Sequence, residues 1–404
     1  MRKAPELRFA GFDGEWEEKK LSTIAKFSKG KGYSKNDISN GKYPIYLYGQ
    51  MYTNYKSQIN EVETYTDSIK VNSILSKGNE VVIPSSGETA EDLARASHMN
   101  ISNVLLGGDL NIIEPNDGVN SHFLALELSN GSVKRSLSKK AQGKSVVHLY
   151  NSDIKNQKIN YTKFEEQEKI GDLFKKIDDL IEIQEGKVAK MEDFKKSMLQ
   201  KMFPKKDELV PDFRFDGFDG ELNSFRINEL IEYSNGNTLE PLITENGDLE
   251  VLNLNSVSIN GQLKGTSKYI SSPYPTLEKN DIIMILSDIA HGNLIGKTAV
   301  IPESNKYVLN QRVAQLKPKN IDSYFLSYYI NHNQKDLYAL SAGTSQLNLS
   351  KTEILKYYVR IPALEEQEKI GQLFKNLDTQ IENEEKLLDS YKMMKKSLLQ
   401  KMFV

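Results

Sequence analysis

The sequence predicts an α+β fold class: two globular α/β domains separated by two long helices that pair as a coiled coil. Three internal repeats carry this reading. Phe164-Glu165-Glu166-Gln167-Glu168-Lys169-Ile170-Gly171 returns as Leu364-Glu365-Glu366-Gln367-Glu368-Lys369-Ile370-Gly371, 200 residues later. Lys195-Lys196-Ser197-Met198-Leu199-Gln200-Lys201-Met202-Phe203 returns at the same offset of 200 as Lys395-Lys396-Ser397-Leu398-Leu399-Gln400-Lys401-Met402-Phe403. Upstream, the segment from Pro5 to Glu15 returns as Pro211 to Glu221, offset by 206. The two half-chains share their starts and ends and differ in between. A duplicated frame around divergent inserts suits a molecule that reads two different things from one scaffold.

In chain order, residues 1–160 are expected to form the first globular domain and residues 161–204 the central helix. Residues 205–360 supply a linker and the second globular domain, and residues 361–404 the C-terminal helix. The domain segments hold short β-type runs, such as Val81-Val82-Ile83 and Ile282-Ile283-Met284-Ile285, broken by Gly, Asn and Asp. Domains of ~140–150 residues are of normal size.

The helices follow from periodicity. Ile170, Phe174, Ile177 and Ile181 fall at three-four spacing, as do Ile370, Phe374, Leu377 and Ile381. These eight are the expected helix and subunit interface. Thr162 with Glu165 has capping-box spacing, Pro362 suits a first helical turn, and Pro204 stops the first helix. Forty residues make a helix ~60 Å long, and an amphipathic helix of that length needs a partner. The other copy is the simplest one, running antiparallel or parallel. Gln184 and Glu384 interrupt the stripes at equivalent positions; they either face water or fix register.

Composition excludes several classes. There is no cysteine, so disulfides, thiolate metal sites and cysteine nucleophiles are out. No apolar run is long enough to span a bilayer and the N-terminus lacks a signal-peptide core, so a cytoplasmic protein with no membrane partner is expected. A net charge of −2 argues against a generic polyanion binder, because sequence-independent DNA affinity comes from many Lys and Arg contacts to phosphate. Positive charge is local instead, at residues 29–35 and 134–144, either as docking patches or as solvated loops.

Catalytic motifs are missing. His98, His122, His148, His291 and His332 have no metal-helix spacing. The run from Gly292 to Thr298 is one residue short of a P-loop, and Gly143-Lys144-Ser145 follows Ser138 where that loop needs glycine. No Pro-Pro occurs, so the motif of amine-modifying DNA methyltransferases is absent. Glu185-Gly186-Lys187 and Glu384-Glu385-Lys386 fit the tail of a nuclease motif, but both sit in the helical stripes. The expectation is a non-catalytic chain with no metal and no cofactor of its own.

The repeat also extends backwards. Gly343, Gln346 and Leu349 form a Gly-x-x-Gln-x-x-Leu segment, and Pro362, Glu366, Gln367 and Ile370 a Pro-x-x-x-Glu-Gln-x-x-Ile helix start. This pattern resembles the specificity (S) subunits of type I restriction–modification systems. The first copy departs from it, with Val146 for the glutamine and Thr162 for the proline. The resemblance implies two target-recognition domains, each reading one half of a bipartite, asymmetric double-stranded DNA target. It implies helices that set the gap between the halves and scaffold two methyltransferase (M) and two restriction/translocase (R) subunits. S-adenosylmethionine, ATP and Mg then belong to those partners. Two homologous units on antiparallel helices have a pseudo-two-fold relation, as duplex DNA does.

Candidate phosphate contacts in the first domain are Lys29, Lys31, Lys35, Lys139, Lys140 and Lys144, with Tyr33 placed to pack on a sugar or base. In the second domain, Asn235, Asn237, Gln311, Arg312, Ser345, Gln346 and Asn348 are the candidates, since Asn and Gln suit adenine and Arg suits guanine. Two rivals remain: a coiled-coil scaffold binding only proteins, and a fused restriction or modification enzyme.

Overall fold

The structure is a computed structural model that describes residues 4–141, 143, 146–205, 208–271, 273–288, 292–344 and 346–403. It divides into two units, Met1–Glu185 with Lys386–Val404, and Gly186–Glu385. Each unit therefore holds one globular domain, the first half of one long helix and the last half of the other. No helix among the described residues is long and apolar enough to cross a membrane.

In the first unit a five-stranded sheet runs in the order Ala25–Lys29, Leu110–Pro115, Glu80–Pro84, Ser97–Met99 and Gln58–Ile59. The first four are antiparallel neighbours and the last pairs parallel. The continuous apolar run predicted to be a strand is buried along its whole length, because both faces are covered. Val81 and Ile83 join one core cluster, under the helix Ser121–Ser129, and Val82 joins another. A period of two thus distributes one strand between two cores.

The second unit repeats the plan. Its four-stranded sheet runs Ile231–Asn235, Val313–Pro318, Ile282–Ile285, Thr298–Val300, all antiparallel. Ile282 and Met284 face the cluster under the helix Ser323–His332, while Ile283 and Ile285 face the opposite one. A smaller sheet flanks each: Tyr65–Thr66, Tyr43–Tyr46, Ser102–Leu106 and Leu75–Lys77 in the first unit, and Tyr269–Ile270, Leu249–Leu252 and Tyr307–Leu309 in the second.

The long helices span Phe164–Met202 and Leu364–Met402. Within the second unit Lys187 meets Glu384 at 2.6 Å, and Lys195 meets Asp378. Within the first, Lys392 meets Glu185 at 2.7 Å and Lys395 meets Asp178 at 2.5 Å. In each pair the higher number on one helix meets the lower on the other, so the helix segments of each unit pack antiparallel. Gln184 is only 6% exposed, so this break in the stripe does not face water.

Both helix starts differ in detail from the sequence expectation. The Thr162 hydroxyl donates to the carboxylate of Glu166, not to a cap with Glu165. Pro362 lies two residues before the first helical residue, and its carbonyl accepts from Gln367 Nε2 at 2.9 Å.

The predicted interface residues dock each helix on its own domain. Ile170, Phe174 and Ile177 pack with Trp16, Phe123 and Leu126, and onto them come Met402 and Phe403. Ile181 borders this cluster. Ile370, Phe374 and Leu377 pack with Phe325, Leu326 and Tyr329, together with Met202 and Phe203; Ile381 is 8% exposed. The repeated Met-Phe endings are therefore core residues: Phe403 rests 6.0 Å from both the Phe123 and Phe174 rings, and Phe203 rests 5.6 Å from Phe325.

Candidate nucleic-acid interface

The repeated sequences outside the helices fix how each domain is held. Arg8 donates Nε and Nη2 to the two carboxylate oxygens of Glu166, at 2.8 and 2.7 Å, and Nη1 to the Gly14 carbonyl at 2.6 Å. Arg214 repeats this with Glu366, at 3.0 and 2.5 Å, and with Gly220 at 2.7 Å. Two parallel N–H···O bonds use the planar guanidinium fork in full. The neighbouring glutamine bridges outward: Gln167 accepts from the Asn120 backbone N–H at 2.9 Å, Gln367 from that of Asp322 at 3.1 Å. Asn120 and Asp322 are the N-caps of the domain helices. The Glu-Gln pair thus clamps the N-terminal segment, the long helix and the domain helix together. Gly371 permits the approach, since a Cβ there would lie 2.3 Å from Asp322 Oδ1.

The divergent parts gather elsewhere. In the first domain the strand Ala25–Lys29 ends where Leu110–Pro115 begins and Glu80–Pro84 ends. At this sheet end Gly30 donates to Leu110 O at 2.9 Å, Lys31 to Leu106 O at 3.1 Å, and Leu149 to Ser85 O at 3.1 Å. Residues 29–35 and the 146–149 loop are thereby brought to one edge. In the second domain the same edge is built from Asn235, Gln311, Arg312 and the 346–349 loop: Asn237 donates to Leu309 O at 3.1 Å, Leu286 to Arg312 O at 3.0 Å, and Leu349 to Leu286 O at 2.8 Å. Gly30 and Gly236 occupy the same tight spot, where a Cβ would lie 1.9 Å from Gly107 O and 2.1 Å from Asn310 O. Beside them, Lys29 and Lys31 of the first domain stand where the second has Asn235 and Asn237, and all four are exposed.

Two glycines make a close backbone approach at this edge. Gly143 and Gly343 have φ of +146° and +131°, and a Cβ on either would lie 1.9 Å from the carbonyl oxygen of residue 146 or 346. Leu149 and Leu349 are buried in the core. Gln346 donates to Ser287 Oγ at 2.5 Å, and Asn348 pairs with Ser287 in a short antiparallel ribbon.

The remaining predicted residues distribute as follows. Lys35 and Lys139 are exposed, while Lys140 is drawn inward to Gln157 Oε1 at 3.1 Å. Tyr33 is 5% exposed and its hydroxyl lies 2.7 Å from Ser73 Oγ, also accepting from the Lys70 N–H at 2.7 Å. It holds the basic loop from beneath and presents no ring face outward. Gln311 is tied to Thr238, whose hydroxyl donates to Oε1 at 3.0 Å. Lys144 and Ser345, with His291, lie outside the described residues.

Sequence reasoning missed a concavity of about 500 Å³ beside the 146–149 loop, lined by Tyr48, Tyr52, Glu88, Asp92, Arg95 and Val146. Its residues come from four separate stretches and form no motif. Among the described residues no group of three or more His, Cys, Asp or Glu is arranged to hold a metal ion. The P-loop-like run does not cradle phosphate: the Lys297 ammonium turns to the Asn331 carbonyl at 3.3 Å, and burial holds its pKa below the usual lysine range.

Comparison with known proteins fits this arrangement. Over 293 residues the chain is 24% identical to the Type I restriction enzyme MjaVIII specificity subunit of Methanocaldococcus jannaschii, covering 69% of this chain and 67% of that protein. Among solved structures, the S subunit of a type-I restriction-modification system from M. genitalium superposes with a TM-score of 0.68 at 17% identity over 99% of both chains. A chain from a study of complex assembly and conformational transition of the type I R-M system gives 0.54 at 15% identity, over 96% of this chain and 97% of that one. At such identities the likeness to both structures is one of fold. Residues 13–193 and 220–391 each match the family described as "Type I restriction modification DNA specificity domain". The chain therefore belongs to that family, and is a non-catalytic DNA-specificity subunit of a type I restriction–modification complex.

Proposed function

We propose that this subunit reads a bipartite, asymmetric DNA target, with one half-site at the divergent sheet edge of each globular domain. One observation carries the reading: the two edges share a backbone but differ in side chains, with Lys29 and Lys31 where the second domain has Asn235 and Asn237. Identical frames with different chemistry are what two unlike half-sites require. The exposed lysines Lys29, Lys31, Lys35 and Lys139 are assigned to phosphates, and Asn235, Asn237, Arg312, Gln346 and Asn348 to base edges and backbone positioning. Domain limits of 1–160 and 205–360 go with this assignment.

The long helices are the scaffold for two methyltransferase and two restriction subunits, which supply S-adenosylmethionine, ATP and Mg chemistry. Exposed apolar residues on the helices support this role: Leu180, Ile183, Leu387, Met393 and Met394 in the first unit, and Phe194 in the second.

The test is a gel shift of the subunit assembled with its methyltransferase partners, on DNA carrying the motif found by sequencing the host's methylated sites. Replacing Lys29 and Lys31 by alanine should weaken binding uniformly across sequences and lower the salt slope by about 2, roughly 1 per phosphate contact. An unchanged salt slope would remove these lysines from the interface. A wild-type complex with no sequence-specific shift would sink the DNA reading itself.

A further inference from the structure

We propose that Glu88 reads a base in the first half-site, accepting a hydrogen bond from the exocyclic amine of an adenine or cytosine. The proposal rests on the DNA-reading function above and adds a residue to it. Glu88 lines the 500 Å³ concavity beside the 146–149 loop. That concavity belongs to the lysine-bearing edge: Gly107 donates to Tyr46 O at 2.9 Å, and Lys31 donates to Leu106 O at 3.1 Å, so the strand ends carrying Tyr48 and Lys31 share a neighbour.

The other charged groups of the concavity are already committed. Asp92 accepts from the Thr89 hydroxyl at 2.6 Å and from Arg95 Nη2 at 3.0 Å, and Arg95 Nη1 donates to Met51 O at 3.0 Å. Glu88 is exposed and has no hydrogen-bond or ion-pair partner among the described residues. The wall beside it is rigid. Tyr52 donates to Ser86 O at 2.8 Å, and a Cβ at Gly87 would lie 2.5 Å from the Tyr52 hydroxyl oxygen. Tyr48 stacks edge-on at 6.1 Å and is 36% exposed.

A carboxylate on a DNA-facing edge is repelled by phosphate. It gains only where a donor is offered, and the donors on the major-groove edge are the N6 amine of adenine and the N4 amine of cytosine. Guanine and thymine present acceptors to it and are rejected. An unpaired acceptor beside a fixed tyrosine wall therefore converts the acid from a liability into a discriminator.

The experiment compares the Glu88→Ala complex, assembled with its methyltransferase partners, with wild type. Methylated sites are sequenced and binding is measured on targets substituted at each position of the first half-site. The expected result is a roughly tenfold or greater loss of discrimination at one adenine- or cytosine-bearing position, with the second half-site unchanged. An unchanged first half-site, or equal relaxation of both halves, overturns the proposal. A wild-type complex with no sequence motif would instead overturn the underlying DNA reading.

Discussion

Asp178 on the first long helix accepts from Lys395 of the second at 2.5 Å and from the Ser57 hydroxyl of the first domain at 2.7 Å. Ser57 is buried and lies 2.9 Å from His122 Nε2 on the domain helix. One carboxylate thus joins two long helices to two elements of the domain. In the second unit Asp378 plays the same part, accepting from Lys195 and from the Tyr328 hydroxyl at 2.6 Å. The repeated Lys-Lys of the helix ends is explained by this pairing: its first lysine reaches an aspartate of the opposite helix.

Charge reversal tests the clasp. Lys395→Asp places two carboxylates together at a partly buried site beside the buried serine, and should destabilise the first unit by about 1–2 kcal/mol, above the exposed-pair range and below that of a fully buried pair. Combining it with Asp178→Lys should recover part of the loss. Hydrogen exchange at the peptides covering residues 164–185 reads the effect. Equal exchange in single and double variants would show that the pair contributes nothing.

The Arg8 and Glu166 pair is more deeply buried, with side-chain exposures of 13% and 0%. Truncating Arg8 to alanine leaves an uncompensated carboxylate beside Thr162, and the expected cost is roughly 3–5 kcal/mol. Arg8→Lys should rescue little, because an ammonium cannot span both carboxylate oxygens and the Gly14 carbonyl. Faster exchange should be confined to the first helix start in Arg8→Ala and to the residues around Glu366 in Arg214→Ala. Exchange that rises at both helix starts in either variant would refute two independent clamps.

The helices and the duplicated frame were legible because they are local and periodic. Ile170, Phe174 and Ile177 announce a buried stripe wherever they end up. What they bury against was not legible: Trp16 and Phe123 are distant in sequence, and only the fold brings them under Phe174. The same limit hid the role of Arg8, 158 residues from Glu166. Tyr33 sat in a lysine run and read as a surface aromatic, yet the turn at Gly32 folds it beneath the loop, onto Ser73. Lys29 and Asn235 were legible separately as polar loop residues. Their equivalence required the sheet register, which pairs Lys29 with Asn111 and Asn235 with Ala314 at the same strand ends.

Glu127 gives a pH prediction with a defined sign. It is 1% exposed, and its Oε1 accepts from the backbone N–H and Nδ2 of Asn160 at 2.9 and 2.7 Å, while Oε2 has no partner among the described residues. Burial pushes its pKa up to about 7, with the Asn160 bonds opposing. The folded state therefore binds a proton that the unfolded chain has lost, and Glu127 makes stability fall as pH rises from about 4.5 to about 7. Histidines of the same unit act oppositely: burial lowers His98 and His122 to about 4, so their contribution is lost as pH falls from 6.5 to 4. Glu127→Gln removes the first effect alone. Its amide oxygen keeps the Asn160 bonds, and its NH2 replaces the protonated Oε2. The variant should therefore gain stability relative to wild type with rising pH, the gap widening between 4.5 and 7 and then levelling. Urea titrations across that range, followed by exchange at residues 121–129, measure the gap; one that is constant with pH would mean that Glu127 does not titrate there.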